Sequence, residues 1–76
     1  MATREVTLTS DWTQITDGTE DVMIQVISGT MYLRDSPTKP GSSDKGHSVT
    51  GSWVGITKPQ QAWARAGGSN TSIVIT

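Results

Sequence analysis

The chain has 76 residues, of which 33% are hydrophobic and 17% charged, with a formal net charge of −1 and no cysteine. We expect one domain spanning residues 1–76, without disulfides, thiolate metal sites or, with His47 as the single histidine, a multi-histidine metal centre. Scattered basic residues argue against nucleic-acid binding, and no apolar run approaches the roughly 20 residues that a membrane-spanning helix needs.

Alternation of apolar and polar residues, rather than helical periodicity, runs along the N-terminal part of the chain. It predicts strands at Glu5–Thr9 and Trp12–Thr16, the second closed by the turn dipeptide Asp17-Gly18. The longest apolar stretch is Asp21–Ile27, which predicts a central strand covered in part on both faces.

A hairpin and a long loop are predicted next. Ser28-Gly29 is typical of a two-residue hairpin turn, and it leads into a returning strand at Thr30–Asp35. Residues 36–46 contain prolines, glycines and polar residues, and they predict an exposed polar loop. Loops of this length in small domains are usually functional or disordered.

Strand character returns in the C-terminal part. Strands are predicted at His47–Thr50 and Trp53–Thr57 around a Gly51-Ser52 turn, and a closing hairpin is predicted over 61–76. About eight short strands without a helix predict an all-β fold, a small antiparallel β-sandwich of jelly-roll-like character.

Catalysis has little support in the residue types present. His47 is the one base suited to neutral pH, it sits at the edge of the polar loop, and most carboxylates lie beside turns. We therefore expect no enzymatic activity, no cofactor and no bound metal. A minimal cupin-type enzyme is disfavoured by the single histidine.

The aromatic and left-over apolar residues point to a contact surface. Three tryptophans and one tyrosine without phenylalanine favour partly exposed settings, which leaves open a structural rim, a protein interface or sugar stacking. After eight aliphatic residues fill one core, Met23, Ile27, Met31 and Val74 need another destination, and subunit packing is the simplest. The predicted interface residues are Trp12, Met23, Ile27, Tyr32, Arg34, Trp53, Trp63 and Arg65.

Self-association is expected for physical reasons too, because so small a domain without disulfide or metal buries little surface alone.

Four short features together resemble a family. Ser28-Gly29, Tyr32-Leu33-Arg34, the 36–46 loop and Trp63-Ala64-Arg65-Ala66 resemble small bacteriophage virion proteins. The resemblance implies a β-sandwich or jelly-roll subunit, without catalytic residues, that decorates or cements a capsid, often as a homotrimer. It also implies that the partner is the major capsid protein or another virion protein.

The N-terminus lacks the apolar segment of a signal peptide, so we expect synthesis in a host cytoplasm and assembly there into a virion. Two alternatives stay open: a fibre or tail component, and a carbohydrate-binding module that uses Trp53 or Trp63 as a stacking platform.

Overall fold

A computed structural model describes residues 2–68 and 70–76, and these residues form an all-β structure. Each strand falls inside, or within one residue of, a strand predicted from alternation. The strands are β1 Arg4–Leu8, β2 Thr13–Gln14, β3 Val22–Ser28, β4 Thr30–Asp35, β5 His47–Thr50, β6 Trp53–Ile56, β7 Ala62–Ala66 and β8 Thr71–Ile75.

The strands form two antiparallel sheets that pack as a sandwich. The first sheet has the order β1-β8-β3-β6, and the second has the order β2-β7-β4-β5. The chain can be described as one long antiparallel hairpin folded into two layers, with residues 36–46 as its turn. Its successive strand pairs are β1–β8, β2–β7, β3–β6 and β4–β5. This arrangement is a jelly roll.

The three predicted hairpins are wrong in their pairing. β3 and β4 flank Ser28-Gly29 but belong to different sheets, and so do the strands around Gly51-Ser52 and the two strands of 61–76. Gly29 and Gly51 do have the positive φ of tight turns, +80° and +57°. A turn residue sets where the chain reverses, but not which strand then accepts its backbone hydrogen bonds. Here the chain crosses to the opposite sheet at each of these turns.

The core lies between the sheets and is filled from both. The alanines of β7 point inward while Trp63 and Arg65 point outward, as the alternation of strand side chains requires. Met31 is fully buried, so the expectation that it is left over for a contact surface is wrong. The buried core residues are Leu8, Ile15, Val22, Ile24, Val26, Met31, Leu33, Ile56, Ala62, Ala64, Ala66, Ile73 and Ile75.

The Cα atoms extend over 29 × 25 × 15 Å. Within residues 2–68 and 70–76, no helix is long and apolar enough to cross a membrane.

Candidate protein-binding face

The outward side chains of the second sheet form one cluster. Tyr32 lies opposite Arg65, and Arg34 lies opposite Trp63, in the register between β4 and β7. Directly opposite residues on neighbouring strands point to the same face of a sheet, so these four side chains meet on its outer surface. The chain thus brings together four of the residues that were predicted as interface.

The 36–46 loop folds back over this cluster and is held there by hydrogen bonds to its backbone carbonyls. Two indoles and two guanidinium groups are the donors. The bonds run from Trp12 Nε1 to Gly41 O (2.9 Å), from Trp63 Nε1 to Ser36 O (3.0 Å), from Arg34 to Lys45 O (2.7 Å), and from Arg65 to Ser42 O (2.9 Å) and Asp44 O (3.2 Å).

Arg65 is the centre of this loop anchor. Its guanidinium lies 4.7 Å from the centre of the Trp12 ring and 5.7 Å from that of Tyr32, within cation–π range of both. Trp12 is only 4% exposed, and Pro40 of the loop is also buried. Within a single chain these side chains therefore serve to fix the loop on the second sheet.

The first sheet has a different outer face. Met23 is 50% exposed, Ile27 54% and Trp53 62%, and these are the exposed large hydrophobic side chains in the described part of the chain. We call these three residues the apolar patch. Trp53 lies opposite Gln25, and Gly55 lies opposite Met23, so the patch spans β3 and β6. A register shift between Val26 and Ser28 leaves Ile27 without a cross-strand partner on β8.

The apolar patch is bordered mainly by uncharged residues, and the charges nearest in the sequence and the sheet are Asp21, just before β3, and Glu5 of β1. Val74 on β8 is half-buried beside Gln25, and the remaining outward residues of β8 and β1 are small and polar apart from Glu5. Exposed apolar patches with a polar rim mark contact surfaces, and depletion of charge is typical of interface cores. This face is therefore the candidate functional site.

Two clefts open on the side of the sandwich formed by β5 and β6. One, of about 370 Å³, is shared by Leu33, Lys45 and His47, and the other, of about 200 Å³, lies between the sheets beside Val54 and Ile56. Asp35 lines both clefts, and its carboxylate accepts a hydrogen bond from the backbone N–H of Gln61, which is a structural use. Across the described residues, no group of three or more His, Asp or Glu side chains is arranged to hold a metal ion.

The pKa of Asp17 is lowered by its neighbours in the chain. The Thr19 hydroxyl and the Thr19 backbone amide donate to the Asp17 carboxylate and hold its pKa below the ordinary value of 3.8. These bonds shape the turn that leads into β3, so the shift reflects turn formation.

Comparison with known proteins gives no matching family model, no matching curated sequence and no matching solved structure. The sequence alone did not single out Gly55, which lies opposite Met23 on the face that carries the apolar patch. A glycine inside an uncharged strand is a signal for the close approach of another backbone.

Proposed function

We propose that this protein is a non-catalytic structural subunit that docks on a larger protein assembly through the outer face of its first sheet. The observation that carries the proposal is the apolar patch of Met23, Ile27 and Trp53, which is exposed on the outer face of the first sheet. Docking removes these side chains from water, and fully burying one large apolar side chain is worth about 1.5–3 kcal/mol. Trp53 is the natural anchor, because tryptophan is enriched among hot-spot residues.

The assembly we propose is a virus capsid that the protein decorates or cements. Support for this step comes from the resemblance of Tyr32-Leu33-Arg34 and Trp63-Ala64-Arg65-Ala66 to small phage virion proteins. A patch of three side chains gives a modest affinity for each site. Repetition over a capsid lattice multiplies such contacts through effective concentration, so modest contacts suffice to reinforce a shell.

Sugar binding is the second candidate, and one observation favours it. Trp53 presents a largely exposed indole beside the amide of Gln25, which suits stacking and hydrogen bonding to a sugar ring. Trp63 is less suited, because it is half-buried and its indole N–H already bonds to Ser36. Titration with oligosaccharides, monitored by tryptophan fluorescence, separates the two candidates. Sugar stacking on Trp53 should shift its emission until the site is saturated, whereas a protein-docking subunit should show no change.

Co-sedimentation with virus particles released from the host that carries the gene tests the capsid proposal. Ile27→Lys places a charge in the apolar patch, and Ser48→Lys places the same charge at an exposed strand position of the second sheet. We expect wild type and Ser48→Lys to sediment with the particles, and Ile27→Lys to bind about 10- to 100-fold more weakly. Equal binding of both variants would rule out this face, and particles that do not retain the wild type would rule out the capsid role.

A further inference from the structure

We propose that two copies of this chain pair edge to edge through β6, in antiparallel register about a twofold axis at Val54. The two first sheets, each of four strands, then form one continuous sheet of eight. This inference deepens the docking role proposed above by naming a second copy as the partner of the β6 edge. It does not depend on the capsid.

The backbone of β6 has a row of groups directed away from the sheet. Met23 exchanges both of its backbone hydrogen bonds with Thr76 at 2.8 and 2.9 Å, so it does not bond across to Gly55. The amide of Val26 donates to Ser52 O at 3.0 Å, which gives the same alternation one step further along. In an antiparallel ladder the intervening residues face the other way. Trp53 and Gly55 therefore direct their N–H and C=O groups outward.

Two of the other three edge strands are charged or very short, and the third, β5, has the same length as β6. β1 carries Arg4 and Glu5, β2 has only two residues, and β5 begins at His47 close to Lys45. Charges and short length are the usual devices that prevent edge-to-edge pairing. β6 has no charge and no proline. β6 is an edge strand of the first sheet, and its residues Trp53 and Gly55 are exposed, so this edge is accessible to another strand.

One register uses every outward group. With Trp53 opposite Gly55 of the second copy, and Gly55 opposite Trp53 of the second copy, all outward N–H and C=O groups of both strands are bonded. A shift by two residues in one direction places the two indoles against each other. The opposite shift needs Thr57, whose amide and carbonyl already bond to Gln60.

The side chains fit the same register. Trp53 and Gly55 share the outer face, and a Cβ built on Gly55 meets nothing within 4 Å, so the indole from the second copy can lie across the glycine. Aromatic residues opposite edge glycines are known to stabilise strand pairs. Met23 of the second copy follows in the same row, and methionine sulfur packs well against aromatic rings. The contacting residues are uncharged, so two identical edges meet without repulsion.

The pairing also extends the docking face. Half-buried Val54 meets Val54 of the second copy on the inner side, while the outer faces join into one surface with two copies of the apolar patch. Ile27 lies away from the axis on β3 and stays exposed. A dimer of this kind presents two docking patches on a single rigid sheet.

Sedimentation velocity of the full chain over a dilution series tests the pairing. We expect a species of about 16 kDa, twice the 8.1 kDa of one chain. Gly55→Pro removes the outward N–H of residue 55 and leaves the hydrogen bonds within the chain intact. Edge strands tolerate proline at such a position. It should weaken the dimer about 10- to 100-fold, because the symmetric pair loses two hydrogen bonds. Ile27→Ser, in the same patch but off the edge, should leave the dimer unchanged.

Amide hydrogen exchange gives a readout that needs no variant. The Trp53 and Gly55 amides should be protected at concentrations where the dimer forms and should exchange rapidly on dilution, while Val54 stays protected throughout. A chain that is monomeric or trimeric at every concentration would overturn the proposal. So would a dimer that resists Gly55→Pro and dissociates with Ile27→Ser, or one whose Trp53 and Gly55 amides exchange freely. A monomer that still binds particles would reject the pairing and keep the docking role, and a dimer that does not bind them would do the reverse.

Discussion

The three tryptophans of this chain differ in what their indole N–H groups contact. Trp12 and Trp63 each donate to a carbonyl of the 36–46 loop, whereas Trp53 stands exposed on the opposite sheet. An indole that is packed and hydrogen-bonded within the chain contributes mainly to folding, and an exposed one is available to a partner. The contrast between Trp53 and Trp63 can be measured.

Trp63→Ala should lower the free energy of unfolding by about 2 kcal/mol, because it removes half-buried apolar area and a hydrogen bond to Ser36. Trp53→Ala should change it by less than about 0.5 kcal/mol, the usual range for exposed positions. Urea unfolding at concentrations that keep the chain monomeric gives both values. A larger loss for Trp53 than for Trp63 would mean that the exposed indole supports the fold.

Arg65 is the residue on which the loop anchor depends most. Arg65→Lys keeps the charge but not the planar fork that reaches Ser42 and Asp44, so we expect a loss of about 1–2 kcal/mol in unfolding free energy. Limited trypsin digestion should then cut faster within residues 36–46. Lys39→Ala is the matched control: its ion pair with Asp11 is exposed and worth less than about 1 kcal/mol, so unfolding should change little. Equal effects of the two changes would contradict the anchoring role.

At the scale of the strands, alternation along the sequence predicts positions and faces but not partners. The pattern of β7 correctly separates its alanines from Trp63 and Arg65, because period-two alternation is a property of the strand itself. The pairing depends on which backbone edge meets which neighbour after the turn, and Ser28-Gly29 suits a hairpin as well as a crossing between sheets. The sequence also does not predict that the 36–46 loop covers the second sheet, because any polar loop has backbone carbonyls that could accept such hydrogen bonds.

The crossing at Gly29 gives a test of this geometry. Gly29 has a φ of +80°, and a Cβ there would lie 2.7 Å from Oγ1 of Thr71. Gly29→Ala should therefore destabilise the fold by about 2 kcal/mol or more, from the left-handed backbone and the clash together. Gly68→Ala is the control, because a Cβ at Gly68 meets nothing within 4 Å. Thermal unfolding should separate the two, and a Gly29→Ala protein as stable as its control would mean that this turn relaxes freely.

At the scale of the whole molecule, the outer faces of the two sheets differ in what covers them. The second sheet uses its aromatic and arginine side chains on its own loop, while the first sheet leaves Met23, Ile27 and Trp53 exposed. Counting apolar residues beyond one core correctly indicated Met23 and Ile27 as exposed, but it failed for Met31. That side chain is buried because it lies on the inward face of β4 with Leu33, opposite the small side chain of Ala66 on β7.

The paired sheet makes a prediction about binding to a lattice. If each dimer presents two apolar patches, the second contact forms at a high effective concentration, and avidity can exceed the affinity of one patch by about 10²–10⁴-fold. Gly55→Pro should then bind particles more weakly than wild type although its own patch is intact, and Ser48→Lys should bind like wild type. Co-sedimentation over a range of protein concentrations measures this difference. A second simultaneous contact always raises the apparent affinity. Equally tight binding by the monomeric Gly55→Pro protein and the wild-type dimer would therefore mean that the two patches of a dimer do not contact the lattice at the same time.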